Sequence, residues 1–162
     1  RPPEPADAEA VFAYAGDERV CRFLAWPCHT TKADTLQFLR STEEGWHSGE
    51  WLNWVIEANT GVVGMIGAQP GRAGAGIGYV LAHDAWGRGY AGEALMAVST
   101  ALFESSSLRS LWAFCVPENI ASARVLEKCG FNRDGLLPNY FACPNLGGKK
   151  HDVLLYVRRR EV

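Results

Sequence analysis

The apolar positions of the chain alternate between helical and strand spacing, and each change of spacing marks an element boundary. In PADAEAVFAYAGDERV, Ala6, Ala10, Phe12 and Ala13 fall near helical spacing behind Pro5, which suits a first turn. This predicts a helix that ends at Gly16. HTTKADTLQFLRSTEEGW places Leu36, Leu39 and Glu43 three to four apart behind the N-cap candidates Thr30 and Thr31. A second helix should therefore run to about Glu44, with Trp26 and Pro27 breaking the chain before it. LNWVIEA and VVGMIGA, separated by the turn NTG, predict antiparallel strands, and IGYVLA adds another after QPGRAGAG.

From Tyr90 the period returns to that of a helix, with Ala91, Leu95, Val98 and Leu102 on one face and an end near ESSS. The strand SLWAFCV follows and is closed by Pro117. Asn119 can then cap a helix IASARVLEKC with Ala121, Val125, Leu126 and Cys129 as its apolar face and Gly130 as a left-handed terminator. The last strands fall at about 131–136 and 152–158, joined by a loop rich in Pro, Asn and Gly. No repeat or linker interrupts the pattern, so residues 1–162 are expected to form one domain.

Composition adds limits. With 162 residues and 48% hydrophobic content, a core can form without disulfides or metals. The formal charge of -2 and the scattered basic residues give no footprint for nucleic acid or a membrane surface. The five cysteines, at 21, 28, 115, 129 and 143, form an odd set without a C-x-x-C pair. They read as reduced thiols in a cytoplasmic protein, with no metal site. No apolar run reaches the roughly 18 residues of a bilayer span and no leader opens the chain, although it starts at Arg1 rather than Met, so residues can precede it.

GYVLAHDAWGRGYAGEAL places Gly87, Gly89 and Gly92 in the spacing G-x-G-x-x-G before a helix. A dinucleotide fold needs that turn directly after a parallel strand, and an acidic residue about 20 positions on. Here the preceding strand belongs to a meander, HDAW intervenes, and Glu118 comes late, behind Pro117. A nicotinamide oxidoreductase is therefore disfavoured. Free N–H groups at a helix start still make an anion site suited to a pyrophosphate. The plain alternative is a glycine turn that only lets helix and sheet approach closely.

The run Trp86-Gly87-Arg88-Gly89-Tyr90-Ala91 resembles the acetyl-CoA motif of the GNAT superfamily of N-acetyltransferases, a strand followed by Q/R-x-x-G-x-G/A and a helix, with Trp86 replacing Gln or Arg. Together with PENIASARVLEKCGF it is similar to the ribosomal-protein alanine N-acetyltransferase (RimJ/RimL-like) branch, where W-G-x-G-Y-A and N-x-x-S-x-x-V-L-E-K-x-G-F are habitual. The resemblance implies an α+β fold: a mixed, mostly antiparallel central sheet of roughly six or seven strands flanked by about four helices. The family's first strand would end at or before Arg1. Strands 78–82 and 111–116 would run parallel and splay apart, with pantetheine in the gap. Val80, Leu81 and Ala82 would offer backbone groups to the pantetheine, and Gly87, Arg88, Gly89, Tyr90, Ala91 and Gly92 would offer N–H groups to the pyrophosphate. The Asn119 side chain would bond the cosubstrate, or serve only as a cap.

Acetyl transfer needs a neutral amine, a donor for the thioester oxygen and a proton for the leaving thiolate. An α-amine, with a reference pKa near 8, needs less help than lysine at about 10.4. The oxyanion donor is expected to be a backbone N–H on VVGMIGA or near Leu81. Ser122 matches the family position for the general acid, though a first-turn serine also bonds backbone. His83, Glu57 and Asp152 are the candidate bases, none distinguished from a solvated residue, with His83 the side-chain type most often used as a general base. An acetyl-cysteine on Cys115 is unnecessary if the amine attacks directly. Trp26, Trp46, Trp51 and Trp54, with His29 and Tyr140, can wall an acceptor pocket or pack the core.

The resulting expectation is an acetyl-CoA-dependent N-acetyltransferase acting on a primary amine, foremost the N-terminal α-amine of a ribosomal or similar protein, in a ternary complex. A small-molecule amine acceptor and a catalytically silent CoA-binding sensor or structural module remain alternatives. Neither nucleic acid nor membrane is expected as partner, and a homodimer is compatible with the resemblance.

Overall fold

The computed structural model describes residues 1–72 and 74–160. A 3-10 turn at Pro5–Asp7 leads into α1 (Ala8–Ala15), which stops at Gly16 as expected. A single further turn, α2 (Glu18–Cys21), is capped by Asp17, whose carboxylate accepts from the Arg19 N–H at 2.9 Å. The next helix, α3 (Lys32–Ser48), opens with a reciprocal cap. Thr31 Oγ1 accepts from the Asp34 N–H at 3.3 Å, and Asp34 Oδ2 accepts from the Thr31 N–H at 2.8 Å. This helix passes the predicted end near Glu44 because its last turn is held from outside. Trp46 donates to the Asn53 carbonyl at 2.7 Å and meets the Trp54 ring edge-on, and left-handed Gly49 then ends the helix.

The meander follows as β1 (Leu52–Ala58), β2 (Gly61–Pro70) and β3 (Gly74–Leu81), all antiparallel. α4 (Tyr90–Ser105) carries the chain back to β4 (Ser110–Cys115), which is parallel to β3. A parallel neighbour requires such a crossover. α5 (Ile120–Lys128), β5 (Asn132–Ala142) and β6 (Lys150–Arg159) complete a six-stranded sheet of order β1-β2-β3-β4-β6-β5. Its single parallel pair excludes the doubly wound sheet of the dinucleotide reading. β5 is much longer than the predicted 131–136. Irregularities at Arg133/Gly135 and Leu137/Phe141 absorb Pro138 and left-handed Asn139, so pairing with β6 resumes at Phe141 and Ala142.

Both faces of the sheet are covered. Ile66, Ala75, Ile77, Leu111 and Tyr156 pack with Leu95, Leu102 and Leu126 of α4 and α5. On the opposite face, Val55 and Met65 pack with Val11, Tyr14 and Leu39 of α1 and α3. The Val55 N–H donates to the Arg1 carbonyl at 3.0 Å, so the start of the chain lies against β1. Among the described residues no helix is long and apolar enough to cross a membrane.

The cysteines depart from the expectation of uniformly reduced thiols. Cys21 and Cys28 form a disulfide with Cα atoms 5.6 Å apart, while Cys115, Cys129 and Cys143 are free and buried. Asn145 gathers the intervening loop: its amide donates to the carbonyls of Cys21 and Trp26, and its Oδ1 accepts from the Cys28 N–H. Spacing alone held no sign of this pairing, because the contact that closes the loop comes from the far end of the chain.

Candidate active site

The pairing of β3 with β4 covers only Gly74–Gly76 against Ser110–Trp112, after which the strands diverge. Hydrogen bonds from Gly71 N–H to the Gly74 carbonyl and from Ala82 N–H to the Val63 carbonyl fix which residues of β3 face β2. By the alternation of an antiparallel ladder, the backbone groups of Gly78 and Val80 also point to β2, and those of Tyr79 and Leu81 point into the widening gap. Ala82, expected to help hold pantetheine, has its N–H taken by Val63 and its carbonyl by Ala85. Leu81 keeps a free N–H on the gap side, and its carbonyl accepts from Trp86 Nε1 at 3.0 Å. Trp86, the departure from the family pattern, thus ties the glycine turn to the strand.

That turn is built for an anion. Gly87 and Gly89 have φ of 73° and 88°, a region open mainly to glycine. Gly89 precedes α4, and the first intrahelical bond is from Glu93 N–H to the Gly89 carbonyl at 3.0 Å. The N–H groups of residues 89–92 therefore have no acceptor within the helix. A Cβ at Gly87 or Gly89 would meet nothing within 4 Å, so there is room in front of them. Gly87, Gly89, Ala91 and Gly92 border a cavity of about 360 Å³ that continues to Val80 and Leu81. Open N–H groups at a positive helix end fit a pyrophosphate, and the gap beyond fits an extended amide chain. Arg88 is exposed beside the turn, and Tyr90 packs its ring on the core below.

A second cavity, of about 470 Å³, opens on the α1/α3 face of the sheet. The two cavities meet: Phe23, Leu24, Tyr79, Val80, Asn119 and Ser122 border both. At this junction Tyr79 and Ser122 share a 2.9 Å hydrogen bond between hydroxyls, and Tyr79 lies 3.2 Å from the Ser122 carbonyl. Burial holds the Tyr79 phenol well above its ordinary range. Cys115 lies beside this pair, and burial, with the Glu127 charge, pushes its thiol up to about 11. The thiol is therefore neutral at physiological pH. Asn119 caps α5, its Oδ1 accepting from the Ser122 N–H at 3.2 Å. Asn119 borders both cavities.

The three candidate bases are not brought to the junction. His83 lies in the turn His83–Ala85 against the Trp86 ring, outside both cavities. Glu57 pairs with Arg1 at 3.0 Å, and Asp152 accepts from the Asn139 N–H at 2.9 Å. Of the predicted aromatic wall, Trp26 and Trp51 border the second cavity, whereas Trp46 and Trp54 do not and meet each other edge-on. His29 backs onto Trp26 and bonds Thr35 Oγ1 at 2.9 Å, and Tyr140 stands edge-on to Phe114. Sequence reasoning missed Tyr79, Trp112, Phe114 and Phe38. In a strand, alternate aromatics look like core, and only the divergence of β3 from β4 puts Tyr79, Trp112 and Phe114 beside a cavity, while Phe38 reaches it from α3. The one available signal was position, since Tyr79 directly precedes the motif residues Val80 and Leu81.

The acetyltransferase (GNAT) domain family matches residues 1–132. An uncharacterized N-acetyltransferase, YoaA of Bacillus subtilis, is 28% identical over 163 residues, covering 96% of this chain and 90% of YoaA. Among solved structures, RimJ of Mycobacterium smegmatis in complex with CoA-disulfide superposes with a TM-score of 0.87 at 25% identity, covering 98% of this chain and 80% of RimJ. The microcin C7 self-immunity acetyltransferase MccE, in complex with acetyl-CoA and AMP, has the same fold, with a TM-score of 0.89 at 20% identity, 98% of this chain and 90% of MccE.

Proposed function

The chain belongs to the GNAT acetyltransferase family and is an acetyl-CoA-dependent N-acetyltransferase, and from that premise we propose that its acceptor is the α-amine of a protein N-terminus, attacked directly in a ternary complex. The observation that carries this reading is the junction of the two cavities, because the acceptor side of it is bordered by no charged residue among those described. An ammonium entering such a space loses solvation, which lowers its pKa toward that of a free base. An α-amine starts near 8 and needs little help; a lysine starts near 10.4 and needs much more. Deprotonation by desolvation accounts for the lack of a protein base at the junction.

The chain's own groups then divide the work. The turn at residues 87–92 holds the pyrophosphate through its N–H groups, with Arg88 adding positive charge and Tyr90 supporting the turn from below. Leu81 and Tyr79 offer backbone groups to the pantetheine, and the amide nitrogen of Asn119 adds a donor. Bound acetyl-CoA supplies the thioester carbonyl to the amine. The Tyr79 N–H, on the gap side and two residues further from the turn than Leu81, is fixed by the sheet and oriented for negative charge on that oxygen before it develops. The Tyr79–Ser122 pair holds a proton for the departing sulfur, with Ser122 donating and Tyr79 resupplying it, while the proton that the attacking nitrogen loses on becoming an amide passes to solvent, from which the pair is reprotonated. The resemblance of Trp86–Ala91 and of PENIASARVLEKCGF to the RimJ/RimL-like branch supports a ribosomal protein as the acceptor class.

A panel of short peptides tests the reading, with thiol release and mass spectrometry as readouts. Peptides with free α-amines should be acetylated at the terminus, while N-blocked peptides carrying lysine, and spermidine, should not. Turnover confined to lysine side chains or polyamines would overturn it.

A further inference from the structure

The floor of the acceptor cavity is formed by glycines on one face of the sheet. Gly67 of β2 pairs with Gly78 of β3, and Gly76 lies two residues along on the same face. Two of the three are covered. A Cβ at Gly67 would meet Trp51 Nε1 at 2.8 Å, and one at Gly76 would meet the Trp112 ring at 2.7 Å. The third is open: a Cβ at Gly78 would meet nothing within 4 Å, and Gly78 is exposed although it sits in an interior strand. The bare patch above Gly78 is therefore bounded across the sheet by the Trp51 indole and along β3 by the Trp112 indole. Trp51 is anchored by donating to Asn53 Oδ1 at 2.9 Å, and Trp112 stacks on Phe114 with planes 13° apart.

We propose that this slot binds an aromatic ring carried by the acceptor, as the side chain of its first or second residue. The proposal rests on the α-amine reading for its position. Val80, the next residue on that face, borders both cavities and lies roughly 7 Å along the strand from Gly78. A ring over Gly78 is thus within a side chain's reach of an amine at the junction. The chemistry favours a ring over other occupants: glycine backbone offers a flat floor, two indoles offer faces and edges for offset or edge-on contact, and no charged residue borders the cavity among those described. A charged side chain there would be desolvated without a partner.

Calorimetry on CoA-loaded protein tests the slot without turnover. The probes are free-amine peptides with Phe at position one or two, the same peptides with Ala or Lys there, and 2-phenylethylamine. The better Phe peptide should bind at least tenfold more tightly than its Ala and Lys counterparts, about 1.4 kcal/mol. Gly78→Leu, whose Cβ would meet nothing within 4 Å and whose side chain would fill the slot, should erase that preference while CoA affinity stays unchanged. Trp51→Leu, near the rim, should reduce the preference and gives a second reading if the first variant is unstable. Equal binding of the Phe and Ala peptides, or a preference that survives both variants, overturns the slot. If 2-phenylethylamine binds in a Gly78→Leu-sensitive way and no peptide binds, the slot stands and the N-terminal acceptor reading falls.

Discussion

Tyr79 and Ser122 touch at the point where the two cavities join, and a 2.9 Å bond between their hydroxyls underlies the proposal that they donate the proton together. Ser122→Ala should lower kcat by roughly a hundredfold, the lower end of the range for general acid catalysis. Tyr79→Phe should lower it less, and neither should alter the affinity for CoA. Steady-state kinetics with calorimetry checks this, and wild-type kcat in both variants would contradict it. Asn119 caps α5 by accepting from the Ser122 N–H, and the proposed function gives its amide nitrogen a second role as a donor to CoA. Asn119→Ala should cost about 0.5–2 kcal/mol of stability and weaken CoA binding. Asn119→Ser should keep the cap and lose only the affinity, as thermal unfolding with and without CoA would reveal. Ser122 and Asn119 were legible as residues because each belongs to a motif with fixed spacing. Tyr79 was not, because its role comes from a hydroxyl that reaches from β3 to α5.

The start of α4 is an element whose function depends on backbone conformation, and two substitutions of Gly89 separate fold from binding. Asparagine tolerates the left-handed region, whereas a β-branched residue pays roughly 1–2 kcal/mol there. Gly89→Asn should weaken CoA binding with little change in the unfolding midpoint, and Gly89→Val should lower both. Undiminished CoA affinity in the Asn variant would remove the pyrophosphate from this turn. The segment closed by Cys21–Cys28 carries Phe23, Leu24 and Trp26 into the cavity walls. Reducing the disulfide should raise the KM for the acceptor more than that for acetyl-CoA, and equal effects would contradict this placement. Element types were legible wherever a period persisted, as in the β1–β2 hairpin and α4. Ends were not legible where distant contacts set them. Trp46 prolongs α3 by reaching Asn53, and irregular pairing carries β5 through Pro138 and Asn139.

At the scale of the whole molecule, the order β1-β2-β3-β4-β6-β5 places one parallel junction in an otherwise antiparallel sheet, and that junction is where the strands part. The meander and the α4 crossover made this junction legible, but the acceptor cavity on the opposite face was not, since its walls come from α1, the α2–α3 loop, β1 and β4. The same geometry predicts the pH dependence. The amine must be neutral, so kcat/KM should rise with pH and level off near the acceptor's own pKa, shifting when a less basic acceptor is used. Burial raises the Tyr79 phenol above its ordinary value near 10, so the proton donor stays protonated and no falling limb should appear below about pH 10. A bell-shaped profile with a limb fixed near 6.5 for every acceptor would instead reveal a histidine base.

Direct transfer at the junction is tested most plainly by initial rates measured while acetyl-CoA and a free-amine peptide are varied together. Intersecting double-reciprocal lines, the signature of a ternary complex, are the predicted result. Parallel lines would mean that the acetyl group first moves to the protein, and would contradict both the neutral, buried Cys115 and the direct attack built on it.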